Sequence, residues 1–111
     1  MTVKRIGKIK SVSFGMGGYD GAMLGISFEF GSDKDRWGVC DFKGTWASDP
    51  SKHAEWTKKE QTVRWGEMVR FIGQLLKEAN VSDINDLKDI PVEVELGGNS
   101  LKRWRILTEV I

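Results

Sequence analysis

Between Thr57 and Asn80 the residues Trp65, Met68, Val69, Ile72, Leu75, Leu76 and Ala79 recur at spacings of three and four. On a helix this spacing builds one apolar stripe, here about six turns long. A stripe of that length has to be covered, and the cheapest cover is the apolar face of a sheet. The ends of the helix are also written in the chain. Thr57 followed by Glu60 has the form of a capping box, in which side chains satisfy free amides of the first turn. Asn80 can end the helix in the left-handed conformation, Ser82 can cap a short second helix through Leu87, and Pro91 returns the chain to an extended course.

The segments on either side have period two. In Ala22–Phe30 the residues Ala22, Leu24, Ile26, Phe28 and Phe30 take one face and Met23, Gly25, Ser27 and Glu29 the other. The run RWGVCDFKGTW follows the polar turn GSDKD and should pair with it as a hairpin. Its faces are mixed, with Trp37 and Val39 on one parity and Cys40 and Phe42 on the other, which calls for a bulge or for burial of both faces. A first strand in KRIGKIKSVSF has Ile6, Val12 and Phe14 on one parity and Ile9 on the other. In the tail, Val92, Val94 and Leu96 share a face with Trp104, Ile106 and Val110 if Gly97, Gly98 and Asn99 form a three-residue loop. That register sets Leu96 opposite Ser100 and Glu93 opposite Arg103, and leaves Arg105 near Pro91. The fold class that follows is α+β: one domain, residues 1–111, of two layers. An antiparallel sheet of about five strands, in the chain order β-β-β-α-short α-β-β, packs on one long helix.

Composition excludes several functions. Seventeen Lys and Arg against 16 Asp and Glu leave a formal charge of +1, so the chain is neither a polycation that coats nucleic acid nor an acidic mimic of it, and electrostatic recognition has to be local. Cys40 is the one cysteine and cannot form an internal bridge. It is expected as a buried, inert thiol in a reducing cytoplasm. No stretch approaches the ~20 apolar residues of a membrane span, so neither export nor insertion is expected. The five tryptophans, Trp37, Trp46, Trp56, Trp65 and Trp104, exceed what so small a core needs; three are expected inside and two at a surface.

Catalysis finds little support. His53, the one histidine, lies in the irregular stretch ASDPSKHAEW, far in sequence from Cys40, so no nucleophile and base are paired. A zinc site lacks its ligands, and no cofactor motif is present. Asp33 and Asp35 form a D-x-D pair that could hold magnesium in a metal-assisted hydrolase, although such pairs usually belong to solvated turns. The glycine-rich stretch FGMGGYDGAML resembles a phosphate loop only in its glycines, because a strand follows it where a dinucleotide site needs a helix. It reads as a wide turn. It can also serve as a binding loop, with Gly17 and Gly18 for close approach, Tyr19 as a stacking ring and Asp20 as an acceptor. Trp46, His53 and Trp56 around the irregular stretch would complete that surface. An alternative is a single-stranded nucleic-acid face made of Trp37, Lys43, Trp46, Arg103 and Arg105; the near-zero net charge and the core parity of Trp104 weigh against it.

Four stretches, GGYDGAMLGISFEF, WGVCDFKGTW, RFIGQLLKEANVSDINDLKDIPVEVEL and LKRWRILTEVI, together resemble a group of short proteins encoded by tailed bacteriophages and prophages, over most of the chain from about Lys8 onward. That group has no settled activity and supplies no catalytic residues. The resemblance implies the cytoplasm of an infected bacterium and action by stoichiometric binding, either to a host or defence protein or to a small nucleotide-like ligand. Unused apolar rings and an open sheet edge also favour a homo-oligomer.

Overall fold

Three strands, β1 (Thr2–Gly17), β2 (Met23–Gly31) and β3 (Gly38–Trp46), lead into helix α1 (Lys58–Ala79) and a 3-10 segment (Ile84–Leu87). The hairpin of β4 (Pro91–Gly97) and β5 (Ser100–Ile106) follows, in a computed structural model that describes residues 1–111. All pairings are antiparallel and the strand order is β3-β2-β1-β4-β5. This is the expected α+β arrangement of five strands and one long helix.

The organising element is β1. Its residues 2–8 pair with β4 and its residues 8–17 pair with β2, so two three-stranded halves share one strand and overlap only near Lys8. The sheet curls until its outermost strands approach, and there Trp104 Nε1 of β5 donates to Asp41 Oδ2 of β3 at 3.0 Å. A bulge makes the curl possible. Ile9 faces Phe30 but Ser11 faces Glu29, leaving Lys10 as an extra residue. The bulge also resolves the parity conflict in the sequence, because it brings Ile9 onto the side of Val12 and Phe14. Ile9 is fully buried in the core, whereas Ile6, expected with Val12, is exposed.

The core joins Ile9, Ile26, Phe28, Phe30, Val92, Val94 and Ile106 of the sheet to Leu75 and Ala79 of α1 and to Leu87. Each such side chain contributes about 1.5–3 kcal/mol by leaving water. Trp104 lies tilted over Phe28 and Phe30, at 5.0 and 4.7 Å between ring centroids, so its indole packs on the core while its N–H reaches Asp41. The helix caps follow expectation in part: Thr57 Oγ1 accepts from the Glu60 amide at 3.1 Å, without the return bond of a full capping box, and Asn80 is left-handed at φ 58°. Several details do not. Val69 is exposed, and Gln61 is buried on the stripe beside the expected Met68, with Phe71 half-buried. Asp83, rather than Ser82, caps the 3-10 segment through the Asn85 amide. Val110 lies exposed beyond β5.

The tail hairpin turns through Gly98 and Asn99 alone, with Gly97 opposite Ser100 and Leu96 opposite Leu101. A shorter loop would have put Trp104 on the wrong side, but a bulge at Lys102 restores the parity and sets Glu95 opposite Arg103 and Glu93 opposite Arg105. The expected Glu93–Arg103 pairing is thereby replaced. Strands β2 and β3 pair without any shift, so the mixed faces of β3 are a real outer surface: Phe42 is half-buried there and Cys40 is exposed. The thiol is therefore not a core residue. None of the five tryptophans is fully buried; Trp37 and Trp104 pack against the core.

Candidate binding site

The far ends of β1, β2 and β3 meet the start of α1, and the glycine-rich stretch and the irregular stretch both lie there. After β1 the chain turns through a single 3-10 turn, Tyr19–Gly21, flanked by Gly18 and Gly21 at φ 66°. Gly18 also has ψ −150°, a region that essentially only glycine adopts, so glycine is required there by the backbone. Gly18 has a second reason: a Cβ there would lie 2.8 Å from Met23 Sδ and 3.0 Å from the Phe42 ring. The turn leaves Tyr19 exposed and edge-on to Trp46, with 6.2 Å between centroids and 82° between planes.

Trp46 ends β3 on its outer side. Trp56, arriving from the irregular stretch just before the helix cap, stacks on it at 6.2 Å and 16°. Gln61, one turn into α1 and 1% exposed, holds this corner together: its Nε2 donates to the carbonyls of Trp46 at 2.6 Å and Ser48 at 2.8 Å. Both neighbours are acceptors, which fixes the amide orientation and leaves Oε1 buried without a donor. Beside the rings is a cleft of about 300 Å³ lined by Met23, Trp46, Trp56, Glu60, Gln61 and Arg64. It offers two flat rings, one cation and one carboxylate. A second hollow, about 380 Å³, runs over the outer side of β1–β3 along Ser11, Ser13, Ser27, Glu29, Cys40 and Phe42. Phe42 and Trp46 project from the same side of β3, four residues and so about 13 Å apart.

Of the residues expected at a site, Tyr19, Trp46 and Trp56 come together. Gly17 and Gly18 lead into Tyr19 along the chain, and the Phe42 ring packs against both. Asp20 is exposed at φ 53° in the turn, and His53 is exposed in the irregular stretch with no hydrogen bond or ring contact to the trio. The nucleic-acid set is divided. Trp37 packs over Gly7 at the opposite end of β3 from Trp46, and Lys43 faces the helix side with its ammonium 4.3 Å from the Phe71 ring. Arg103 and Arg105 pair with Glu95 and with Glu93 and Glu109. Asp33 is occupied as well. Hydrogen bonds from Lys10 and Lys8 at 2.9 and 2.8 Å hold its carboxyl down at about 2, and no three acidic, His or Cys side chains cluster in a metal-sized group around it or elsewhere.

Gln61, Arg64 and Phe42 are site residues that pattern reading passed over. Gln61 was detectable in principle, as a polar residue four positions before Trp65 on the buried stripe. Comparison with protein families, with curated proteins and with solved structures finds no match. No helix is long and apolar enough to cross a membrane.

Proposed function

We propose that this chain is a non-enzymatic phage accessory protein that captures a small nucleotide-like ligand in the cleft beside Trp46 and Trp56. The observation that carries the reading is the near-parallel pair of indoles, with Tyr19 edge-on, at the mouth of a cleft that also has Arg64. A base stacked on an aromatic side chain gains about 1–3 kcal/mol. Arg64 suits a phosphate. Capture without turnover fits the absence of a paired nucleophile and base in the sequence.

A second reading has its own support. A five-stranded antiparallel sheet with a long shared first strand, a helix between the third and fourth strands and outer strands that curl together has the connectivity of the OB-fold. That barrel takes oligonucleotides across its second and third strands and adjoining loops. The hollow along Ser27 and Phe42, leading to Trp46, is where a single strand would run.

Titration of intrinsic tryptophan fluorescence separates the two. Quenching by mononucleotides with 1:1 stoichiometry supports the first reading. Quenching only by an oligothymidine, with affinity falling steeply as salt rises, supports the second. Trp56→Ala should weaken the successful ligand about tenfold or more, as the loss of one stacking contact predicts. If neither ligand quenches, or if Trp46→Ala and Trp56→Ala bind as the parent does, both readings fail. A host or defence protein docking on the same rings would then be sought with the same variants.

A further inference from the structure

We propose that the free edge of β1 from Ser11 to Gly17 pairs with the same segment of a second copy of this chain. The two edges of β1 are used unequally. Residues 8–17 pair with β2 on one edge, while β4 leaves the other at Lys8. The last backbone bonds on that second edge are Ile9 N–H to the Ile90 carbonyl at 3.0 Å and Asp89 N–H to the Ile9 carbonyl at 2.8 Å. From Ser11 to Gly17 its amides and carbonyls have no partner, which is a template for another strand.

The side chains agree. Val12, Phe14 and Met16 project toward the core side, yet Phe14 and Met16 are 48% and 62% exposed, because α1 lies against β3 and β5. The other half of β1 is guarded by Lys4, Arg5 and Lys8, the usual defence of an open edge, whereas SVSFGMG has neither charge nor proline. Such a segment is its own electrostatic complement. An antiparallel pairing with the two-fold axis at Phe14 sets Phe14 against Phe14, Val12 against Met16, Ser13 against Gly15 and Ser11 against Gly17. Apolar side chains then meet on one side and small ones on the other, with no like charges opposed. A net charge of +1 leaves little repulsion between copies.

Sedimentation velocity over a concentration series tests this. The expected result is twice the 12.5 kDa chain mass at high concentration, dissociating on dilution. Phe14→Lys opposes two like charges on the axis and should give a monomer. Val3→Lys, on the guarded half, should dimerise as the parent does. Met16→Lys, which sets a charge opposite Val12, gives a second reading of the seam if Phe14→Lys does not fold, as judged by circular dichroism. A parent chain that stays at the monomer mass throughout, or folded Phe14→Lys and Met16→Lys that still dimerise, overturns the proposal. Mononucleotide titration reads the Trp46–Trp56 cleft, which shares no residue with this edge, so that result and the sedimentation result are independent.

Discussion

At the scale of single residues, the molecule depends on a few side chains whose role is to complete hydrogen bonds or to leave space. Gln61 is the clearest. Its two bonds to the Trp46 and Ser48 carbonyls tie the irregular stretch to the helix, so Gln61→Leu should cost about 2–3 kcal/mol in chemical denaturation by leaving buried acceptors unpaired, and should weaken ligand binding as Trp46 loses its support. Gly7 shows the opposite requirement. A Cβ there would run into the Gly31 carbonyl and the Trp37 indole, whose Cζ2 would lie 2.6 Å away. Gly7→Ala should therefore destabilise the fold by about 3 kcal/mol, read as a lowered thermal midpoint. The position of Gln61 on the stripe was visible in the chain, but neither role was. A glutamine on a helix stripe and a glycine in a strand are each compatible with exposure, and only the partners that the fold brings to them, from 15 residues away in the case of Trp46, give them their meaning.

At the scale of elements, periodicity located the helix, its two caps, the paired strands and the closing hairpin, because each is specified by residues only three or four apart, or alternating. What it missed were bulges. One extra residue at Lys10 and one at Lys102 each invert side-chain parity partway along a strand, and the sequence before the bulge then appears to contradict the sequence after it. The conflict between Ile9 and Val12 was the visible trace. Deleting Lys10 is accordingly far more damaging than replacing it. Lys10→Ala loses one exposed contact to Asp33, whereas deleting Lys10 keeps Ile9, Val12 and Phe14 on one side but straightens the strand and removes the bend that lets the sheet curl toward the Trp104–Asp41 hydrogen bond. It should lower the thermal midpoint well below that of Lys10→Ala. The candidate site was half legible for the same reason: Tyr19, Trp46 and Trp56 were noticed as spare rings near loops, but their stacking depends on where β3 and α1 begin and end.

At the scale of the whole molecule, charge and topology set the response to conditions. Asp33 joins β1 to the β2–β3 turn through Lys10 and Lys8, and its carboxyl lies at about 2 rather than 3.8. A depressed carboxyl contributes stability that is fully present above its unfolded value and is lost as pH falls through its folded one. The stability difference between the parent and Asp33→Asn should therefore shrink between about pH 4 and about pH 2, and should be smaller throughout in high salt, since the pair is exposed. On the alkaline side Lys8, raised by its bonds to Asp33 and Asp89, contributes below its ordinary value and ceases to do so as pH climbs through the raised one. The shared first strand has a further consequence, for synthesis. Thr2 pairs with Gly97 and Lys8 with Pro91, so the amino-terminal half of β1 leaves the ribosome well before the strand it pairs with. Until then it is an unpaired, basic ribbon attached to a finished β1–β2–β3 meander. Folding of the nascent chain should be rate-limited by that long-range docking rather than by the helix.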